Sequence, residues 1–271
     1  MAQRCRKAPV SVSDAPVTWA VRLEYDGGGY VGWQKQANGV SIQGLLEEAA
    51  SRIAGGRPVP SITAGRTDAG VHAGGQVIQL DFPSGFDRDA RQVRDGINFH
   101  LKPHPIVVLD AALAAPGWNA RFSAIRRRYR YRILNRPARP ALDAGQVWHV
   151  KRPLDAQAMH EGAQHLLGRH DFSSFRAASC QANSPMRTLD RLDVARNGDI
   201  VSIEADARSF LHHQVRNMVG SLQLVGWGAW TPADTRTALE ACDRSKAGPT
   251  APPDGLALIG VDYPDDPFAA T

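Results

Sequence analysis

Apolar and polar residues alternate along the first part of the chain in a way that predicts strands and helices in a regular order. Residues 17–25 carry apolar side chains at every second position, which is the period of a half-buried strand. After Ser41, a suitable N-cap, apolar residues recur at helical spacing until the glycine pair 55–56, which predicts a helix. The same reasoning predicts strands over 59–64, 76–82 and 106–113 and a helix over 87–101.

The later part of the chain repeats this order of elements with longer connections. Each half can be written strand, helix, strand, strand, helix, strand, which is the split-βαβ or ferredoxin-like order. This order predicts an α+β fold in which two halves form a mainly antiparallel sheet, with helices on one face and an open face for a ligand. A basic cleft is expected where the halves meet. The elements of the second half are strands near 128–134, 147–150, 189–195, 200–205 and 256–263, and helices near 154–167, 212–225 and 232–242.

The order of elements also divides the chain. The first half spans 17–115 and the second spans 116–264. Residues 1–16 form an extension to which the sequence assigns no role, and 265–271 form a tail. The chain has 271 residues, 43% of them hydrophobic, which suffices for a sizeable core.

Targeting signals are not apparent in the sequence. No run of about 20 apolar residues is present, and the first sixteen residues contain Arg4, Arg6 and Lys7 where a signal peptide needs an apolar run. The three cysteines are scattered and form no CxxC pair. These features predict a cytoplasmic protein with reduced thiols and no membrane segment.

Positive charge is concentrated in one segment. Lysine and arginine number 32 against 27 acidic residues, a formal net charge of +5. Residues 121–136 alone hold seven arginines and two tyrosines, and arginine alternates with tyrosine from Arg128 onward, a strand pattern. A polyanionic partner is therefore compatible with the composition.

The segment 64–77 is the most informative part of the sequence. It lies between two predicted strands, and its many glycines and alanines let the backbone approach a ligand closely. Arg66 and Asp68 stand two residues apart in it, so that on a strand or loop edge both side chains point to one side. Asp68 is its only acidic residue, and taken alone an Asp-Ala-Gly sequence is ordinary turn chemistry.

Segment 64–77 resembles the signature of the tRNA pseudouridine synthase A family almost position for position. The resemblance extends from about residue 21 to 263. The further matching stretches are 24–34, 119–124, 127–131, 171–176, 212–221 and 254–258. It implies an isomerase that converts uridine to pseudouridine at positions 38, 39 and 40 in the anticodon stem-loop of tRNA. The reaction involves no redox change and no group transfer to a second molecule, so the resemblance implies no cofactor and no metal. It also implies a homodimer.

The resemblance also implies roles for single residues. Asp68 corresponds to the catalytic carboxylate, which attacks or stabilises C1′ or C6 of the target nucleotide. Arg66 would replace the base that is flipped out of the RNA, and Tyr129 would lie against the uracil. Arg216 would pair with Asp68 and keep it ionised, and Leu256 would line the pocket. The residues implied as tRNA contacts are Arg121, Phe122, Arg128, Phe175 and Arg176.

Without the resemblance, most of these residues have a simpler interpretation. Tyr129 would be a core residue, and Tyr131 would share its strand face. Arg66 would be a solvated or paired arginine, Arg216 a charge on a helix surface, and Leu256 and the two phenylalanines core residues. Whether Asp68 attacks the base or the sugar is left open.

Two further features suggest other ligands, but only weakly. His212 and His213 are adjacent, so they point in different directions on a helix, and no third metal ligand has suitable spacing. A helix-start or RNA-facing role is expected for them instead. The glycines at 27–29 lack the Lys-Ser/Thr ending of a P-loop, so we interpret them as a flexible connection beside the cleft.

Two other classes of function remain open. A non-catalytic RNA-binding module would have the same sheet order and the same Arg/Tyr strand. A base-removing glycosylase could also use one aspartate, but it would release free uracil.

Overall fold

The computed structural model describes residues 15–269. The extension 1–16, to which the sequence assigns no role, therefore lies almost entirely outside the described residues, as do Cys5 and the last two residues of the tail. The described part contains helices α1 (Ile42–Ile53), α2 (Ala90–Leu101), α3 (Ala156–Gln164), α4 (Gln214–Gly226) and α5 (Pro232–Glu240). Its strands are β1 (Val17–Tyr25), β2 (Ser61–Thr63), β3 (His72–Phe82), β4 (Ile106–Leu113), β5 (Arg126–Asn135), β6 (Trp148–Val150), β7 (Gly168–Asp171), β8 (Met186–Asn197), β9 (Ile200–Ala207) and β10 (Leu256–Asp262).

The strands form one sheet in the order β4-β1-β3-β10-β5-β9-β8-β7, with β2 beside β3 and β6 beside β5. All pairings are antiparallel except β3–β10 and β5–β6. The predicted α+β fold with a mainly antiparallel sheet is thus confirmed. Strands from the two halves meet where His72 and Ala73 pair with Ala257 and Leu258. The division at 115/116 into two domains stays a prediction.

The helices pack on one face of the sheet. Trp19 and Val21 point to this face and share a core with buried residues of the helices, among them Leu46 and Met218. Ala20, between them, points to the other face, as strand geometry requires. There it joins a smaller cluster that includes Val77, Ala112 and two residues after β10, Tyr263 and Phe268.

Two strands differ from the prediction for physical reasons. β3 begins at His72 rather than at residue 76, because Gly74 and Gly75 belong to the strand although glycine usually marks a loop. A side chain on Gly75 would meet the carbonyl oxygen of Ile259 at 2.6 Å, so glycine permits the close approach of β10. β7 was not predicted, since this four-residue strand has no apolar alternation and lies at the edge of the sheet, where it pairs with β8.

The helix predicted over 212–225 is present but begins two residues later, at Gln214. The two histidines therefore lie in the connection that enters α4. Among residues 15–269, no helix combines the length and apolar character that crossing a membrane requires.

Candidate active site

Asp68 and Arg216 meet at the junction of the two halves. Asp68 follows β2 in the loop before β3, and Arg216 lies in the first turn of α4. The guanidinium Nη1 of Arg216 donates a hydrogen bond to Oδ2 of Asp68 at 3.1 Å, while its Nε donates to the carbonyl of Ala251 at 2.8 Å. The side chain of Asp68 is 20% exposed and that of Arg216 is 13% exposed. Because both are mostly shielded from water, their opposite charges attract each other more strongly than they would at the surface. This contact was expected from the resemblance, and the structure contains it.

Hydrogen bonds from the sheet hold the backbone of the Asp68 loop. The fully buried amide of Gln76 donates to the carbonyl of Gly65 at 2.8 Å. The hydroxyls of Tyr25 and Thr67 are 2.8 Å apart, and the Trp33 amide donates to the carbonyl of Thr67 at 3.1 Å. Burial raises the pKa of Tyr25 to about 12, so its hydroxyl stays protonated and available for this contact. The residues on both sides of Arg66 are therefore fixed, a feature that the sequence analysis did not identify.

The glycine-rich connection after β1 packs tightly against the same loop. A Cβ on Gly27 would lie 2.0 Å from the carbonyl oxygen of Val71. A Cβ on Gly32, whose φ is +99°, would lie 2.9 Å from the carbonyl oxygen of Thr67. At Gly27 the interpretation of residues 27–29 as a flexible connection therefore needs correction, because glycine at this position serves close backbone packing, whereas a Cβ on Gly29 would meet nothing within 4 Å.

Arg127 is a buried cation that pairs with no carboxylate in the part of the chain that the structure describes. Its guanidinium donates to the carbonyl oxygens of Ala64, Arg121, Ala124 and Arg208, at 2.6 to 3.1 Å. Burial lowers its pKa from the ordinary arginine value. Arg127 thus joins the start of the Asp68 loop to segment 119–124, and it is not a surface residue of the arginine-rich strand.

Tyr129 lies next to the Asp68 loop. Its ring is 8% exposed and packs edge-on against Phe210, with centroids 5.2 Å apart. The atom nearest to a Cβ built on Gly65 would be the Tyr129 hydroxyl oxygen, at 3.9 Å. Burial raises the pKa of Tyr129, and the negative charge of Asp68 raises it further, so the phenol stays protonated.

Tyr131, which shares the strand face of Tyr129, is placed differently. It is fully buried, and its hydroxyl donates to the carbonyl of Pro252 at 2.8 Å. The structure therefore favours Tyr129 as the aromatic residue of the site. Leu256 is 5% exposed and pairs with Tyr131 at the start of β10, in the core beside the site.

Two histidines surround the carboxylate of Asp68 together with Arg216. Nε2 of His212 lies 3.3 Å from Oδ1, and Nε2 of His213 lies 3.4 Å from Oδ2. Within residues 15–269, these three side chains form the one group whose ligand atoms are close enough to hold a metal ion, all within 4.8 Å. The sequence offers no third ligand at suitable spacing from the histidines, and the third ligand atom comes instead from Asp68, in a distant part of the chain. The Arg216 guanidinium on the same oxygen would repel a cation, so we interpret the cluster as a hydrogen-bonding and proton-accepting group.

The site lies on the face of the sheet that carries the helices. Tyr129 belongs to the core that includes buried helix residues, and Arg216 is itself on α4. Tyr129 and Arg216 are thus on the helix-bearing face, whereas the ligand was expected on the open face; where the ligand binds stays a prediction. The Asp68 loop of the first half and the start of α4 in the second half come together at this place.

The residues predicted to contact the RNA differ in how exposed their side chains are. Arg66, Arg121 and Phe122 are exposed, and the Arg121 guanidinium lies 5.6 Å from the centre of the Phe122 ring, which is 75% exposed. Arg176 is half-buried. The structure does not support a contact by the ring of Phe175, because that ring is fully buried and packs edge-on against Phe172.

Arg128 is also placed away from the site. It precedes Tyr129 on β5 and therefore points to the opposite face of the sheet. There it forms an ion pair with Asp262 at 2.8 Å. Its neighbour on that face, Arg130, pairs with Glu204 at 2.8 Å. Strand alternation thus separates these arginines from the carboxylate.

The fold and site place the chain among the RNA-modifying isomerases: residues 163–264 match the family model described as tRNA pseudouridine synthase. The chain is 63% identical over 250 residues to "tRNA pseudouridine synthase A" of Gluconobacter oxydans, covering 92% of this chain and 91% of that one. It is 67% identical over 252 residues to the protein of the same name from Acidiphilium cryptum, covering 92% and 98%. The protein of that name from Rhodospirillum rubrum is 58% identical over 253 residues, covering 93% and 90%. The chain therefore belongs to the tRNA pseudouridine synthase A family.

Proposed function

We propose that this protein isomerises uridine to pseudouridine in tRNA. The observation that carries the proposal is the Asp68 carboxylate, which is held by Arg216, is partly exposed and has Tyr129 near it. Three relatives that match over nine-tenths of the chain bear the name of this activity. The intact carboxylate favours an enzyme over a binding module.

The arrangement fits the needs of the reaction. The target base is stacked inside the RNA and must be extruded to reach a carboxylate that is only 20% exposed. Asp68 then acts on C1′ or C6 while the glycosidic bond breaks. Tyr129 offers an aromatic ring to hold the plane of the uracil while it turns. The reaction needs no oxidant, phosphate donor or metal, so we propose that it proceeds without a cofactor.

The finer features are proposed from the family resemblance. The substrate positions are 38, 39 and 40 of the anticodon stem-loop, and the protein acts as a cytoplasmic homodimer. Arg66 replaces the extruded base, and Leu256 lines the pocket. Exposed Arg121 and Phe122, with Arg176, contact the tRNA.

The deciding experiment is incubation of the purified protein with unmodified tRNA transcripts and no added cofactor. Digested nucleosides are separated by chromatography, because pseudouridine has the mass of uridine. We expect pseudouridine and no free uracil. Free uracil would identify a glycosylase, and tRNA binding without either product would identify a binding module.

The matched control is Asp68→Asn, which keeps the size of the side chain but removes its charge. We expect this variant to retain tRNA on a filter and to release no tritium from tRNA labelled at uridine C5. That hydrogen leaves only after C5 has bonded to the sugar. Substantial tritium release by the variant would contradict the role of Asp68.

A further inference from the structure

Arg127 uses every N–H group of its buried guanidinium to hold backbone carbonyls. A guanidinium has five N–H donors. Nε and Nη2 both donate to the carbonyl of Ala64, at 3.1 and 2.7 Å, and Nη2 also donates to that of Arg121 at 2.6 Å. Nη1 donates to the carbonyls of Ala124 at 3.0 Å and Arg208 at 2.6 Å. One side chain therefore fastens three segments that are distant in the sequence.

Each of these three segments carries an exposed arginine close to the carbonyl that Arg127 holds. Arg66 follows the carbonyl of residue 64 by two positions, and the carbonyls of Arg121 and Arg208 are themselves held. Within residues 15–269, the side chains of these three arginines form no ion pair, whereas Arg128, the neighbour of Arg127 on β5, pairs with Asp262. Arg66, Arg121 and Arg208, which we call the arginine surface, are thus available to an anion.

The positive charge in this region favours an anionic ligand. The groups that accept hydrogen bonds from Arg127 are all neutral carbonyls. Burial lowers the pKa of Arg127 most, and the charges of Arg121 and Arg208 lower it further, as expected for cations that repel one another. An anion bound beside Arg121 and Arg208 would offset this repulsion.

The backbone of the turn 119–124 is bound from inside the protein. Oδ1 of Asn119 accepts hydrogen bonds from the amides of Arg121 and Phe122, both at 3.0 Å. The hydroxyl of Tyr263 donates to the carbonyl of Ala120 at 2.7 Å. The side chains of Arg121 and Phe122 remain exposed on this fixed turn. Their position therefore depends on the bonds beneath them.

Arg208 directly follows β9 and precedes the part of the chain that enters the site. Two residues later, the ring of Phe210 packs edge-on against Tyr129. Four residues later, Nε2 of His212 lies 3.3 Å from Oδ1 of Asp68. The carbonyl that Arg127 holds at residue 208 thus lies at the start of a short segment that reaches the catalytic carboxylate. An RNA that brings a uridine to this carboxylate passes close to Arg208.

We propose that Arg208 binds a phosphate of the RNA backbone, and that Arg127 positions Arg208 together with Arg66 and Arg121 as one anion-binding surface beside Asp68. This inference rests on the proposed function, because the phosphates are those of the tRNA that carries the target uridine. Guanidinium groups suit this ligand, since they bind phosphate oxygens through paired, charge-assisted hydrogen bonds. Arg127 itself has no free donor and acts only through the segments that it holds.

Arg208→Ala tests the new contact through the binding of an unmodified tRNA transcript over a range of salt concentrations. We expect the dissociation constant to rise by roughly three- to tenfold at low salt, and the slope of log K against log salt to shrink by about one, as for one lost phosphate contact. Arg208→Lys keeps the charge and should keep most of the slope. Arg57→Ala is the matched control, because Arg57 is an exposed arginine whose guanidinium bonds the carbonyls at 54 and 84, and it should bind as the wild type.

Arg127→Lys tests the positioning of the arginine surface. Lysine keeps the charge but has only three N–H donors for four carbonyls. We expect the salt slope to fall by about two or more although no exposed charge is removed, and we expect Arg208→Ala to change the slope little in this background. Thermal unfolding identifies a temperature at which the variant is folded. Arg127→Gln, which removes the buried charge, is the second variant where the lysine variant does not fold, and the same result is expected.

A purely structural role of Arg127 would lower the melting temperature but leave the salt slope of the folded variant, and the effect of Arg208→Ala in it, as in the wild type. That result overturns the positioning by Arg127. Normal tRNA binding by Arg208→Ala, or weaker binding with an unchanged salt slope, overturns the phosphate contact, while pseudouridine formation by the wild type still supports the proposed function. A wild type that forms no pseudouridine contradicts the proposed function, whereas a smaller salt slope in Arg208→Ala would then still support the contact with RNA phosphate.

Discussion

Arg216 and Asp68 are 148 residues apart in the sequence, yet Nη1 of the arginine lies 3.1 Å from Oδ2 of the carboxylate. The arginine is also bound through Nε to Ala251, so its guanidinium plane is fixed at two points. One half of the chain thus supplies the carboxylate, and the other half supplies its countercharge. The site is complete only when the two halves share one sheet.

Arg216→Lys tests whether orientation matters in addition to charge. Lysine keeps the charge but cannot bond both Asp68 and Ala251 with a planar group. A hydrogen bond to a charged group contributes about 1.5–3 kcal/mol, so we expect kcat to fall by about 10- to 100-fold with little change in KM. Arg236→Lys, which alters an exposed pair with Glu240, is the control and should leave kcat unchanged. A wild-type kcat in Arg216→Lys would show that charge alone suffices.

Gln76→Leu tests the anchoring of the Asp68 loop. The substitution removes the bond to Gly65, so we expect a loss of about 1–3 kcal/mol in the free energy of unfolding. Displacement of the loop should also lower kcat by roughly tenfold or more, because small misplacements of reacting groups are costly. Urea unfolding and steady-state kinetics measure the two effects.

Gln79→Leu is the matched control on the same strand. The Gln79 amide donates to Asp81 and not to the loop, and its side chain lies on the other face. We expect a loss of stability without a loss of kcat. Equal losses of kcat in both variants would mean that activity follows overall stability and not the anchored loop.

The sequence predicted the elements whose pattern is local. The alternation over β1 and the helical spacing in α1 follow from residues that bury one face, and both elements are present close to the predicted bounds. The start of β3 could not be predicted, because glycine at position 75 permits the close approach of β10, in which Ile259 lies 184 residues further along the chain. Which face of the sheet carries the site also depends on that pairing.

The site was predicted unevenly for a similar reason. Asp68 and Arg216 were identified through their motifs. The place of His213 beside Asp68 depends on a backbone angle, and that of Gln76 beside the loop depends on a bond to a loop carbonyl; neither has a periodic signal in the sequence. For Arg128 the prediction and the structure differ. Arg128 was expected to contact tRNA, but residues of a strand alternate between the two faces of the sheet, so its side chain lies on the face opposite to Tyr129 and pairs with Asp262.

Arg121→Ala and Arg128→Ala distinguish the two arginine-bearing surfaces. Arg121 is exposed beside Phe122, and among the described residues its side chain has no carboxylate partner, whereas Arg128 is paired with Asp262. We expect Arg121→Ala to weaken tRNA binding and to reduce the slope of log K against log salt by about one, as for one lost phosphate contact. Arg128→Ala should change both the affinity for tRNA and the salt slope by much less than Arg121→Ala does. Filter binding over a range of salt concentrations measures both, and a larger effect at Arg128 would place the tRNA on the opposite face.

Arg66→Ala tests base extrusion separately from tRNA binding. Arg66 is exposed at the edge of the cleft, two residues before Asp68, and within residues 15–269 its side chain forms no ion pair. One arginine is a small part of an RNA interface, so we expect the dissociation constant of the tRNA to change by less than about tenfold. Filling the space of an extruded base is indispensable, and we therefore expect a much larger fall in kcat.

Fluorescence of 2-aminopurine placed next to the target uridine reports extrusion directly. Wild-type protein should raise this fluorescence, because the neighbouring base loses its stacking partner, and Arg66→Ala should raise it less. Arg57→Ala, an exposed arginine that bonds backbone carbonyls at 54 and 84 away from the cleft, serves as the control and should behave as the wild type. Normal fluorescence in Arg66→Ala together with a low kcat would show that the base still leaves the stack, and Arg66 would then have to act after extrusion, on the base in the pocket.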